Sequence, residues 1–364
     1  MTIILFLVVL AVLIFVHELG HFLVAKKSGI RVDEFAIGFP PKIFSWVRGE
    51  TKYALNLIPF GGYVKIHGEN PDEDSISGPD SDRSFVNAKK WKQISVLVAG
   101  VAMNIIFAWL LISISFMFGS LVPVSEEASD YSKYIKDSQV ILTSILPDSP
   151  AEKAGLLQGD KLLKIEEISG KDLNTTKVRE LIEGSLDGQI DITYERNGEI
   201  KNTVAVAELN SIEKRKVIGI YMENVGIVKL NPFLALWEGG KLTAVIFKQV
   251  AVGLGTFLTQ AVRGRADFSQ VSGPVGIVGL VGDAAAFGLA YFFGFVAFIS
   301  LNLAVINLIP FPALDGGRVL FVIIEAIIRR PIKPIVANAI NSIGFFILIG
   351  LMLIITYRDI MKFF

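Results

Sequence analysis

Four apolar runs, each long enough to cross a lipid bilayer, leave this chain few ways to fold. The first has no polar residue from Ile3 to Val16 and continues through His17-Glu18-Leu19-Gly20-His21 to Ala25. The others run from Ile94 to Val122, Ala284 to Ile309 and Ile335 to Tyr357. About 20 apolar residues span a bilayer core. Basic residues mark the ends that face one another: Lys26, Lys27 and Arg31 after the first run, Lys89, Lys90 and Lys92 before the second, and Arg329, Arg330 and Lys333 between the last two. The positive-inside rule makes both short connections cytoplasmic and puts both termini outside. No Lys or Arg precedes the first run, so it reads as a retained span rather than a cleaved signal peptide.

A fifth segment, Asn231 to Gln260, is apolar but carries Glu238, Lys241 and Lys248. It is expected to lie on the membrane face as an amphipathic helix. Ser125 to Val228 reads as a soluble region with strand-like Gln139–Ile145, Gln189–Arg196 and Lys201–Glu208 and a helix-like Lys177–Glu183. Gly68 to Asn87, rich in Asp, Ser, Gly and Pro, reads as a flexible cytoplasmic loop. Tyr53 to Ile66 alternates around Pro59-Phe60-Gly61-Gly62 and reads as a β-hairpin. Open edges cannot face lipid, so the hairpin is expected to line a cavity.

The chain has 35 Lys+Arg against 35 Asp+Glu, so no basic field argues for nucleic acid. It has no Cys, which excludes disulfides and thiolate metal sites. Any metal must be held by His, Asp or Glu. His17-Glu18-Leu19-Gly20-His21 is an H-E-x-x-H, and two His four residues apart on a helix share one face. Both imidazoles can reach one Zn²⁺, with Glu18 placed to take a proton from bound water. Ionisable groups at membrane depth cost several kcal/mol and point to function. The third ligand is expected to be a carboxylate, Asp315, at the inner end of the third run, where Pro310 and Pro312 break the helix and Gly316-Gly317 allow a tight turn. His67 is expected to be a solvated loop residue.

The H-E-x-x-H in the first span, with N-x-x-P-x-P-x-L-D-G-G from Asn307 to Gly317 in a later one, resembles the site-2 protease family of intramembrane metalloproteases, in its regulator-of-sigma-E protease branch. Gly61-Gly62-Tyr63-Val64-Lys65, Gly100 with Asn104, and Ser272-Gly273-Pro274-Val275-Gly276-Ile277 extend the likeness nearly end to end. The resemblance implies Zn²⁺ on His17, His21 and Asp315, Glu18 as general base, and an extracytoplasmic PDZ domain beginning near Leu146. Its carboxylate-binding loop is expected near Gly155-Leu156-Leu157. Asn307, eight residues before Asp315, is assigned a catalytic role, and Gly61, Gly62, Tyr63, Val64 and Asn104 are assigned to substrate.

The expected architecture is an α-helical polytopic membrane protein with four transmembrane helices, a membrane-associated β-hairpin and one inserted α+β PDZ domain. Its parts are a membrane core over 1–122, the PDZ domain over 125–228, a membrane-surface segment over 229–283 and the remaining core over 284–364. The expected activity is zinc-dependent cleavage of single-span membrane proteins in the bacterial cytoplasmic membrane, such as anti-sigma factors or signal-peptide remnants, with the lipid bilayer as the other partner. The competing readings are a zinc-binding transporter or channel, which predicts ionisable groups along the whole depth, and an inactive PDZ scaffold, which needs no Glu18.

Overall fold

The computed structural model describes residues 1–123, 133–185, 188–196, 198–210, 215–265 and 272–361. In chain order the elements are α1 (Thr2–Lys27), β1 (Val32–Arg48), β2 (Thr51–Ile66), α2 (Glu73–Ser77), α3 (Lys90–Phe118), β3 (Ser120–Pro123), β4 (Ile135–Ile145), α4 (Pro150–Lys153), β5 (Lys161–Ile165), β6 (Ile168–Ser169) and α5 (Thr175–Gly184). They continue with β7 (Gln189–Arg196), β8 (Glu199–Val206), β9 (Glu208–Asn210), β10 (Arg215–Val217), β11 (Ile220–Val228), α6 (Pro232–Val262), α7 (Pro274–Ala286), α8 (Leu289–Leu308), α9 (Asp315–Ile328) and α10 (Pro334–Met361). Two compact units result.

The first unit is Met1–Ile112, Leu236–Gly282 and Phe295–Phe364. Helices approach here through small residues, as they do where lipid supplies no hydrophobic drive. A Cβ on Gly20 of α1 would strike the Ala99 carbonyl of α3, and one on Gly344 of α10 would come within 2.5 Å of Pro312 Cβ. Polar atoms join the helices at these crossings. Ser300 Oγ donates to the Asn104 carbonyl at 2.9 Å, Trp109 Nε1 donates to the Leu236 carbonyl at 2.8 Å, and the Gly276 amide donates to Asp359 Oδ2 at 3.0 Å.

Among the described residues five helices, not four, are long and apolar enough to cross a membrane: α1, α3, α6, α8 and α10. The added one is α6, the segment expected to lie on the surface. Its charges are not spread along it. Glu238 is buried and pairs with Lys241 one turn on, which leaves Lys248 as the only charge from Leu242 to Val262. A 31-residue, predominantly apolar helix remains.

Residues 53–66 do not form a hairpin on themselves. Residues 34–37 of β1 run parallel to 52–55 on one side and antiparallel to 62–65 on the other, while 42–48 pair antiparallel with 51–56. The order of the limbs is therefore 42–48, 51–58, 32–39, 61–66. One outer limb carries exposed Ile43, Phe44, Trp46 and Val47; the other ends beside α1. The segment after it is ordered by local bonds. Asp72 and Ser75 cap α2 reciprocally, Arg31 pairs with Asp80, and the Asn87 amide donates to three carbonyls.

The second unit is Ser113–Ala235 and Asp283–Gly294. Its sheet runs β3-β11-β4-β5-β7-β8, with β6 on β5. Alternating Ile190, Ile192 and Tyr194 of β7 turn inward with Val140, Leu142 and Leu162 and meet Val178 and Ile182 of α5. Asn174 caps α5 by accepting from the Lys177 amide at 2.9 Å. Buried Asp160 is held by Arg196 through two 2.6 Å bonds and by the Leu157 amide.

Candidate active site

Three residues from two helices bring their donor atoms together. His17 and His21 lie one turn apart on α1, and Asp315 opens α9 after the Pro310-Phe311-Pro312 break. His17 Nε2 is 2.9 Å and His21 Nε2 3.4 Å from Asp315 Oδ2, and the two Nε2 atoms are 3.2 Å apart. These are the only three such groups among the described residues close enough to hold one metal ion.

The glycines around them explain the approach. A Cβ on Gly100 of α3 would lie 2.5 Å from His21 Nε2 and 2.7 Å from His17 Nε2. Cβ atoms on Gly316 and Gly317 would strike the Ile309 and Phe311 carbonyls, so the turn that delivers Asp315 admits only glycine there. Ala313 within that turn has φ 71°, a left-handed conformation unusual for a side-chain-bearing residue.

The donor set fits a zinc ion. Four ligands at about 2.0–2.1 Å in a tetrahedron stand about 3.3 Å from one another, close to the 2.9, 3.2 and 3.4 Å that separate these three atoms. His21 Nδ1 donates to the Val96 carbonyl at 2.7 Å, which fixes the tautomer and leaves the Nε2 lone pair facing Asp315. On His17 the other ring nitrogen, Nδ1, lies 3.3 Å from the Asn104 amide. Asn104 is wholly buried and its Oδ1 has no partner as assigned. Turning the amide over puts its oxygen on His17 Nδ1–H and frees Nε2 for metal. Asn104 was expected to touch substrate; it has no exposed surface, and its amide meets His17 Nδ1.

Glu18 stands beside the ligands but outside the triad. Its Oε2 accepts from the Val64 amide at 3.1 Å. It faces a cavity of about 720 Å³ walled by His21, Tyr63, Val64, Asp315 and Arg318 and by polar residues from Arg31 to Asp74. Gly62 packs against the Ala36 carbonyl, and Gly61 has φ 103°, so both glycines answer backbone demands. Tyr63 stacks on Phe39 with centroids 6.5 Å apart. Asn307, at the end of α8, is half-buried and has no bond to the triad.

His67 is buried, not solvated: its amide donates to the Arg31 carbonyl and its Nδ1 lies 3.9 Å from Asp33. The Gly155-Leu156-Leu157 amides are also committed, to the Glu152 and Ala151 carbonyls and to Asp160 Oδ2, so none is free for a carboxylate. Arg318, three residues after Asp315 and paired with Glu69, was missed in the sequence. Its spacing from Asp315 on a helix was the available signal.

An H-E-x-x-H helix closed by an acid from a second helix, in an apolar bundle, defines a metalloprotease site. The chain belongs to peptidase family M50, whose model matches residues 5–351. It is 35% identical to a protein of Clostridium perfringens named as a zinc metalloprotease, over 99% of this chain and 98% of that one. A similarly named protein of Rhizobium meliloti is 33% identical over 98% and 95%. The regulator of sigma-W protease RasP of Bacillus subtilis is 28% identical over 100% and 99%. The chain is thus a multi-pass membrane zinc metalloprotease.

Proposed function

We propose that this protein cleaves single-span membrane proteins within or near their transmembrane segment, with His17, His21 and Asp315 holding Zn²⁺ and Glu18 acting as general base. The observation that carries the reading is Glu18. It sits beside the donor triad, outside it, held by the Val64 amide and facing a polar cavity. Bound zinc supplies Lewis acidity and lowers the pKa of water toward ~7. Glu18 takes a proton from the attacking water at its carboxylate and returns it to the leaving amine. The polar walls admit water to a bundle otherwise closed to it.

A helical peptide bond is sealed by its own hydrogen bonds, so the substrate segment must unwind. The 61–66 limb is an outer limb of its sheet, and Gly61, Gly62, Tyr63 and Val64 would pair with the unwound chain as an added strand. Asn307 remains a candidate for the reacting end of α8. The reading extends to a cytoplasmic-membrane location with the site toward the inner face and the second unit outside, as a PDZ domain that excludes bulky substrates. The open side of β11 at Ile220–Met222, beside Ile182 of α5 in a cavity of about 210 Å³, supports a peptide-groove architecture.

The test is cleavage of a single-span substrate co-reconstituted in vesicles. Cleavage should stop on chelation and return with Zn²⁺. Cleavage indifferent to chelation contradicts the reading. Deleting 125–228 should leave short substrates cleavable and newly admit long ones; loss of short-substrate cleavage with zinc retained rejects the filter.

A further inference from the structure

α10 is apolar for most of its length, and from Pro334 to Ile355 only Asn338, Asn341 and Ser342 are polar. Their spacing puts them on one face. That face is fixed toward the Asp315 turn: Gly344 lets the helix meet Pro312, and Asn341 Oδ1 accepts from the Ala313 amide at 3.3 Å. Asn341 therefore lies at the level of the turn that delivers the zinc ligand. The Asn338 side chain has no partner among the described residues. An unpartnered amide in a membrane helix is costly unless it faces a cavity or a polar ligand.

Here it does face one. Asn338, Asn341 and Ser342 line a cavity of about 530 Å³ with Asn70, Ala313, Arg318, Phe345 and Phe346. Asn70, Ala313 and Arg318 also line the cavity that holds Glu18. The two spaces therefore adjoin, and Arg318, paired with Glu69, borders both. We propose that the α10 cavity is a second substrate subsite, which takes the unwound peptide chain on the side of the reacting bond away from the 61–66 limb. The occupant follows from the chemistry. An unwound stretch of a membrane helix carries unpaired N–H and C=O groups at this depth, and carboxamides offer both a donor and an acceptor to them. The two phenylalanines accept the apolar side chains between. Asn338 and Ser342 set specificity for how readily a substrate unwinds; Asn341 also props the turn and so is a positioning residue.

This subsite rests on the protease reading, and its test separates the two. The chain has no cysteine, so Ser342→Cys is a unique thiol. In a Glu18→Gln background that retains substrate, Ser342→Cys should form disulfides with substrate cysteines on one side of the cleavage point, and Tyr63→Cys with those on the other. In the active chain, Asn338→Leu and Ser342→Leu should each lower kcat/KM for a single-span substrate about 5–10-fold, the loss of one hydrogen bond, with zinc content unchanged and partial recovery in Asn338→Gln. Crosslinks from Tyr63→Cys but none from Ser342→Cys, or parental rates in both leucine variants, overturn the subsite and leave the protease reading standing. A parent chain that cleaves no membrane span overturns both.

Discussion

The two units of this molecule are inside out with respect to each other. In the second unit the interior is Val140, Leu142, Leu162, Ile165, Ile190 and Ile192, and the one buried charge among its described residues, Asp160, is neutralised by Arg196. In the first unit α10 exposes Ile343, Ile347, Leu353 and Ile354, while His17, His21, Gln93, Asn104, Glu238 and Asp359 are buried. Water drives apolar side chains inward in one. In the other, lipid takes them for nothing and the interior is left to polar contacts between close-packed backbones. The His17–His21–Asp315 cluster sits in the polar kind of interior, where a buried acid or imidazole needs a partner and a metal can be that partner.

If that contrast is right, space matters most where backbone meets ligand. Gly100→Val should have the largest effect, because its side chain would displace both imidazoles. Misplacement of about 1 Å costs about 10²-fold in rate, so cleavage should fall at least that far and zinc per chain should drop, with melting of the second unit unchanged. Full zinc and normal cleavage would break the comparison.

The matching test in the second unit is electrostatic. Arg196→Met leaves the Asp160 carboxylate buried without its counter-charge, and breaking such a pair costs about 3 kcal/mol. Melting of the second unit should fall accordingly while zinc content holds. Asn104→Leu comes next: without a partner on Nδ1, His17 loses its orientation and zinc affinity should fall about 10–100-fold, read by competition with a chelator.

The smallest effect lies outside the membrane-spanning helices, at the β1–β2 turn. Arg83 and then Lys26 hold the Glu50 carboxyl down to about 2 from an ordinary 4.5. A lowered value means that the stabilisation is complete above about 4.5 and is lost as the pH falls toward about 2. Hydrogen-exchange protection of the turn should decline across that window, and Glu50→Gln should remove the pH dependence while lowering protection at neutral pH.

The sequence made the triad legible because chemistry that expensive in a membrane has few explanations: His17, His21 and Asp315, with Glu18 beside them, were readable from type, spacing and depth. Asn104 was visible as a polar position, yet its task was not, because nothing local says that it meets His17 across 87 residues. The sheet was misread for a related reason. Residues 53–66 alternate as a hairpin should, but their partner limb, 32–39, lies before them and inserts between the two halves. Helix α6 shows the limit of averaging charge over a segment, since Glu238 and Lys241 neutralise each other in the first turns and leave an apolar helix behind. Arg318 was not legible because its partner, Glu69, lies 249 residues earlier in the chain.

The central claim is that Glu18 moves the proton and does not hold the metal. Zinc content and cleavage of a single-span substrate, measured on one purified sample of Glu18→Gln, test it most directly. The account predicts one zinc per chain and cleavage lower by ~10²–10⁴-fold; cleavage at the parental rate, or loss of zinc together with activity, would contradict it.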